Sequence, residues 1–411
     1  MTDIIHDKLT CGIEYGMVPL PDRHVVSFQI AVLAGCCADP PEKLGLARLL
    51  EETIDKGTES YTGRELSDAF DTIGANRGSS AGSETTTFSC TVLPEHFERA
   101  MELHCELLRR PTFPEDAFGV NVDLARQELK ALEDDAQAFM DKLISLDAFG
   151  PVLGRHPLGE PETLGSLTRD DLVGHWKKHF CAGSMLVSVA GAVEPERVAD
   201  VLERCFDGFG TAEPTGRSPF DARFNPGMTH HNKDLEQEQI AICWPGCGVT
   251  DEDFPVQLVT LGILSGGMSA RLFTEVREKQ GLVYWVGAWH EAPRATGMIF
   301  LGASTTPDRS AKTYTTLLRE VDRLAEDLEA EELTRAITGI VAQTETRGDL
   351  TASRCRELIN DLFHYGHPVP MSEKTRRVEA VTMESIKRYL ADYPRDRRCV
   401  MTLGPAPLNS A

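Results

Sequence analysis

The chain of 411 residues has no apolar run long enough to cross a bilayer. Its longest, near 25–34 and 185–193, are strand-length. The opening Met1-Thr2-Asp3-Ile4-Ile5-His6-Asp7-Lys8 lacks a basic segment followed by an apolar one, which argues against a secretory signal. Positive charge is also scarce. With 42 Lys and Arg against 64 Asp and Glu, the net charge of −22 argues against a nucleic-acid partner and an anionic membrane surface. A Gly-rich phosphate loop, a dinucleotide fingerprint and a G-x-S-x-G elbow are absent. The 11 cysteines lack secretory spacing and read as reduced thiols of a cytoplasmic protein. Cys243-x3-Cys247 has no second Cys/His pair spaced to complete a zinc site. His175 and His179 form a usable i, i+4 pair. With Lys177 and Lys178 between them and no obvious third ligand, they are expected on a surface or in a core.

Residues 9–35 are dense in β-formers and read as two strands closed by Gly35. A helix is expected over 44–54, and another from Thr62, with Leu66, Ala69, Phe70 and Ile73 at helical spacing and Gly74 as its stop. A small polar stretch, 77–83, precedes a β-rich run from Glu84 to Val92. Residues 95–110 and 115–149 read as helices, the second with a stripe of Phe118, Val122, Ala125, Leu129 and Leu132. Glu128 lies just off that stripe. Thr168-x-x-Asp171 caps a helix running to Phe180, and 185–190 is a strand.

Pro, Gly and small polar residues dominate 211–219. The expected organisation is a first domain over 1–210, a linker over 211–226 and a second domain over 227–411. The second half repeats the first at an offset of about 214 residues, the separation of Thr168 from Thr382. The same shift lays 44–50 on 258–264 and the strand after His179 near 399–403. So long a period indicates domain duplication. Strands followed by long helices, without strict alternation, argue for an α+β fold.

Arg48, Glu51 and Glu52 share one face of the 44–54 helix, followed by Lys56-Gly57-Thr58 and, much later, Glu128. Farther on come the His156-Pro157-Leu158-Gly159 loop and the run from Ser265 to Tyr284, in which Arg277 and Tyr284 stand seven positions apart. Together these resemble the pitrilysin/insulinase family of zinc metallopeptidases, which includes the mitochondrial processing peptidases. That family carries an inverted motif, H-x-x-E-H, plus a distant Glu. In it the two His and the distal Glu hold zinc, and the Glu between the His residues is the general base. Here the His positions read Arg48 and Glu52, while Glu51 and Glu128 remain.

The resemblance implies two homologous domains, each a largely antiparallel sheet of about six strands with helices on one face, closing as a clamshell around a substrate chamber. It implies substrate contacts by Arg277 and Tyr284, and an edge strand near Gly78 and Ser79 on which a peptide lies. A guanidinium has no lone pair for a metal. No cofactor is therefore expected in this chain, zinc is expected in a catalytic partner, and Arg48 is expected to neutralise Glu51, Glu52 and Glu128. Three carboxylates alone would suit a harder cation, which the adjacent Arg48 disfavours. The expected role is a non-catalytic subunit of a heterodimeric metallopeptidase acting on peptides. The alternatives are a homodimeric pseudopeptidase that binds peptides without cleavage, a structural assembly subunit and, least favoured, an active zinc endopeptidase.

Overall fold

A computed structural model describes residues 4–210, 216, 219–294 and 296–408. In chain order the strands are β1 (Ile5–Lys8), β2 (Glu14–Pro19), β3 (Val26–Val32), β4 (Asn76–Ala81), β5 (Thr86–Val92), β6 (Met185–Gly191), β7 (Gly227–Asn232), β8 (Glu238–Gly246), β9 (Val283–Glu291), β10 (Gly297–Thr305) and β11 (Cys399–Gly404). The helices are α1 (Leu46–Thr53), α2 (Gly63–Thr72), α3 (Phe97–Arg109), α4 (Glu115–Asp134), α5 (Ala136–Leu153), α6 (Pro161–Leu164), α7 (Arg169–His179), α8 (Pro195–Phe206), α9 (Phe254–Ser265), α10 (Ser310–Arg323), α11 (Ala330–Gly348), α12 (Thr351–Tyr365), α13 (Met371–Glu379) and α14 (Met383–Asp392). The helical run expected over 115–149 is broken at Asp135. The Asp135 carboxylate accepts from the amides of Gln137 and Ala138 and so starts α5 afresh.

The chain forms two compact units. The first holds 1–131, 155–219 and 347–370, and the second holds 132–154, 220–346 and 371–411. Neither is a continuous half of the sequence. Of the expected linker, residues 211–215, 217 and 218 lie outside the described residues.

The first unit carries a six-stranded sheet ordered β1-β2-β6-β3-β5-β4, and the second a five-stranded sheet ordered β7-β11-β8-β10-β9. In each, one pair is parallel, β2 with β6 inside the first sheet and β7 with β11 at the edge of the second, and the other pairs are antiparallel. The sheets are copies: the offset that lays Met185 on Cys399 also lays β2 on β7 and β3 on β8. Where about six strands are expected in each half, the second sheet has five and no counterpart of β1 among the described residues. The duplication extends to the caps. Thr168 with Asp171 and Thr382 with Ser385 form capping boxes at the starts of α7 and α14.

Alternation along β3 sends side chains to both faces of the first sheet, and both are covered. Phe28 packs edge-on against Phe97 and His104 of α3, with centroids 6.0 and 4.9 Å apart. On the other face, Ser27 bonds the Thr351 hydroxyl at 2.7 Å, and Ala31, Leu33 and Leu186 pack against Ile359 and Leu362 of α12. Each such aliphatic side chain contributes ~1.5–3 kcal/mol when fully buried. In the second unit, α5 packs on β8 and β11, and its Phe149 meets Phe300 at 5.9 Å. By the same offset α5 and α12 are counterparts, so the two halves have exchanged equivalent helices. Among the described residues, no helix is long and apolar enough to cross a membrane.

Candidate functional site

α1 is fixed at its start by a buried carboxylate. Asp39 accepts from the amides of Gly45, Leu46 and Ala47 at 2.9–3.0 Å, which serves three of the donors a helix leaves open. Arg155 holds the Asp39 segment from the other side, donating to the main-chain oxygen of Asp39 at 2.7 Å. The 156–159 loop closes over the same point. Gly45 and Gly159 both have positive φ, and a Cβ on Gly159 would stand 2.4 Å from the Leu44 oxygen. Leu46, Ala47, Leu49 and Leu50 are buried, which turns the polar side of α1 outward.

That polar side carries the cluster. Arg48 Nη1 lies 2.5 Å from Glu51 Oε2, its Nη2 contacts Glu52, and the same nitrogen lies 3.6 Å from Glu128 Oε2. The structure thus brings Arg48, Glu51, Glu52 and Glu128 together around one guanidinium. Burial works against the charge of Arg48, but the three carboxylates outweigh it and hold its pKa above the usual value. The Glu51 side chain is 3% exposed, against 39% for Glu52 and 49% for Glu128. Burial pushes the Glu51 carboxyl up, and a hydrogen bond from Ser79 and the charge of Arg48 oppose the rise.

Two further elements complete the geometry. β4 is one of the two outer strands of the first sheet, with Gly78, Ser79 and Ser80 exposed, and Ser79 reaches the Glu51 carboxylate. On α4, the Asn121 amide donates to the Glu52 oxygen at 2.9 Å and to the Thr53 hydroxyl at 3.0 Å. This tie holds α4 against the end of α1, and Glu128, two turns on, lies on the same face. Asn121 went unread in the sequence: it stands beside the stripe position Val122, but nothing there marks its partners on α1.

Zinc needs imidazole, thiolate or carboxylate donors, and here a cation occupies the middle of the carboxylates. The residues present do not fit that metal. Among the described residues, no group of three or more His, Cys, Asp or Glu side chains is disposed to hold a metal ion. His175 and His179 are buried on α7 with ring centroids 4.5 Å apart, and burial lowers their pKa values to about 3 and about 4. A depression of about 1150 Å³, bordered by Asp55, Lys56, Tyr61, Glu65 and Pro114, begins just after α1 and includes none of the four cluster residues.

In the second unit, Arg277 lies in a π-helical turn over Phe273–Glu278 and Tyr284 lies on β9, an outer strand of its sheet. Arg277 sits over the Phe273 ring at 5.0 Å, while the neighbouring Glu275 pairs with Lys279. Tyr284 is 64% exposed. Neither position is spent on the core.

Comparison with known proteins gives a consistent picture. Residues 19–160 match the family described as Insulinase (Peptidase family M16), and residues 166–340 match the Peptidase M16 inactive domain. A protein of Rickettsia felis named an uncharacterized zinc protease is 27% identical over 373 residues, 89% of each chain. A probable mitochondrial-processing peptidase subunit beta of Arabidopsis thaliana is 24% identical over 387 residues, 90% of this chain and 73% of that one. Among solved structures, a protease from Helicobacter pylori superposes with a TM-score of 0.91 at 15% identity, over 98% of this chain and 100% of that one. A peptidase M16 inactive domain from Pseudomonas fluorescens superposes with a TM-score of 0.89 at 18% identity, over 98% of both.

Proposed function

The chain belongs to the insulinase family of peptidases, as a half-length member, and within that family we propose that it is a non-catalytic subunit of a heterodimeric zinc peptidase. One observation carries this reading: the Arg48 guanidinium occupies the centre of the Glu51, Glu52 and Glu128 carboxylates. A permanent cation there supplies the charge balance but cannot polarise a carbonyl or acidify a water as a metal does. Glu51 is left as a general base with no activated nucleophile beside it. Exposed Arg277 and Tyr284 are free of such an obstacle, and an Arg fork or a phenol can donate to a peptide carbonyl or to the oxyanion formed on attack. In this reading they serve a composite site whose zinc belongs to a partner with an intact H-x-x-E-H motif.

The test is reconstitution. The chain purified alone is expected to contain substoichiometric zinc and to leave peptides intact, and hydrolysis is expected to appear on mixing with such a partner. Chelator-sensitive hydrolysis by this chain alone would overturn the proposal. A second reading rests on the exposed outer strand β4, which offers main-chain groups to an extended peptide. Peptide affinity of the isolated chain, without cleavage and without gain on adding a partner, would favour a homodimeric peptide-binding pseudoenzyme.

A further inference from the structure

Away from the Arg48 cluster, α3 and α8 pack side by side in the first unit and bring two cysteines together. Cys105 and Cys205 are 100 residues apart in sequence, and their side chains lie within hydrogen-bonding reach of each other. The Cys105 thiol also donates to the Cys205 main-chain oxygen at 2.5 Å. That carbonyl belongs to the last turn of α8, where helix carbonyls have no intrahelical donor. Arg109, one turn beyond Cys105, donates to the same oxygen at 2.5 Å and to the Asp207 oxygen at 2.9 Å. Its guanidinium lies over the Phe209 ring at 5.4 Å. The cysteine pair is therefore held by a fixed cation as well as by helix packing.

A cavity of about 210 Å³ opens at this point, lined by Glu102, Cys105, Glu106, Arg109, Arg204 and Cys205. That distinguishes the pair from Cys243 and Cys399, which face each other across β8 and β11 with 0% and 1% exposure.

We propose that Cys105 and Cys205 form a dithiol that a small hydroperoxide entering this cavity oxidises to a disulfide joining α3 to α8. The Cys105 thiolate attacks one peroxide oxygen, and the O–O bond breaks. The second oxygen leaves with a proton, as water from hydrogen peroxide, and Cys105 becomes a sulfenic acid. Cys205 then attacks that sulfur. The S–S bond forms, the S–O bond breaks, and hydroxide leaves with the Cys205 proton as a second water. Two thiols lose two electrons, and one peroxide gains them. The neighbouring Cys205 thiol lowers the pKa of Cys105, burial opposes this, and Arg109 adds to the lowering, which favours Cys105 as the first nucleophile.

The full-length reduced protein is treated with graded hydrogen peroxide, alkylated under native conditions, digested and mapped by mass spectrometry. The expected product is a Cys105–Cys205 linked peptide that dithiothreitol reverses, formed while Cys243 and Cys399 remain thiols. Exposed Met268, at 76%, serves as the dose marker. In Cys205→Ser, Cys105 is expected to accumulate as a sulfenic acid that dimedone traps. Wild-type mapping decides the matter even if that variant fails to fold. Free Cys105 and Cys205 at a dose that oxidises Met268, linkage only in denaturant, or earlier linkage of Cys243 to Cys399 would each overturn the proposal.

Discussion

Arg48 Nη1 stands 2.5 Å from Glu51 Oε2, and that carboxylate is only 3% exposed. A buried carboxylate with a fixed cation has no call for a metal. Changing the cation to a ligand should reverse this. The double variant Arg48→His, Glu52→His restores H-x-x-E-H with Glu128 nearby, and it is expected to bind about one zinc per chain. Elemental analysis of tag-free protein reads the result, with wild type as the blank. No gain in zinc would mean that the Glu128 side chain does not reach the metal position.

Asn121 ties α4 to α1 through the Glu52 oxygen and the Thr53 hydroxyl. Asn121→Ala leaves both acceptors without that donor, and a loss of about 1–3 kcal/mol is expected. Urea unfolding checks it, because a shift in midpoint at constant slope reports stability alone.

Arg277→Ala is expected to lower kcat/KM of the reconstituted heterodimer by about 10- to 100-fold, and Tyr284→Phe by a smaller factor. Both positions are exposed, so stability should change by less than about 0.5 kcal/mol. Unchanged turnover in both variants would remove their assigned role.

His104 is fully enclosed between Phe28 and Phe70, donates from Nδ1 to the Ala100 oxygen at 2.8 Å, and is pushed down by burial to about 4. Its folded pKa lies below the unfolded value of 6.5, so the unfolded chain takes up the proton first. The stabilising contribution is complete above about pH 6.5 and is lost as the pH falls toward 4, at ~1.4 kcal/mol per pH unit. His175 acts in the same sense. Asp39 and Glu238, lifted to about 7 by burial, act in the opposite sense over the same window. The His104 share is therefore read by comparing wild type with His104→Gln in urea unfolding at pH 7.5 and 5, where the variant should lose less stability, or gain more, on acidification.

The exchanged helices predict an interdependence of fragments. Residues 1–219 lack α12, and residues 220–411 lack α5, so each fragment exposes one face of its own sheet. Expressed separately, each is expected to aggregate or to bind a hydrophobic dye. Expressed together, they should form a soluble complex recovered by size-exclusion chromatography.

Much of this architecture could be read from the chain. The capping box at Thr168 reappears at Thr382 because both sites solve the same local problem, and that repeat exposed the duplication. The i, i+3 and i+4 spacing put Arg48, Glu51 and Glu52 on one face, because helical geometry is local. The helix exchange was not legible. The apolar stripe of α12 says which side is buried, but Leu358 and Ile359 would suit either sheet equally well. Asn121 escaped for a related reason, since its partners are main-chain and hydroxyl oxygens of α1 that no side-chain pattern marks. The fifth-strand limit of the second sheet also escaped, because β1 is short and mostly exposed and leaves little hydrophobic trace to compare.

The placement of α12 sets a timetable for biosynthesis. β6, the last strand of the first sheet, is complete once Gly191 has been added, yet the helix that shields the sheet's second face is finished only at Tyr365. At ordinary elongation rates that is a wait of about 10–35 s. During it, the nascent sheet presents Val18, Ala31, Leu186 and Ala190 to solvent or to a chaperone.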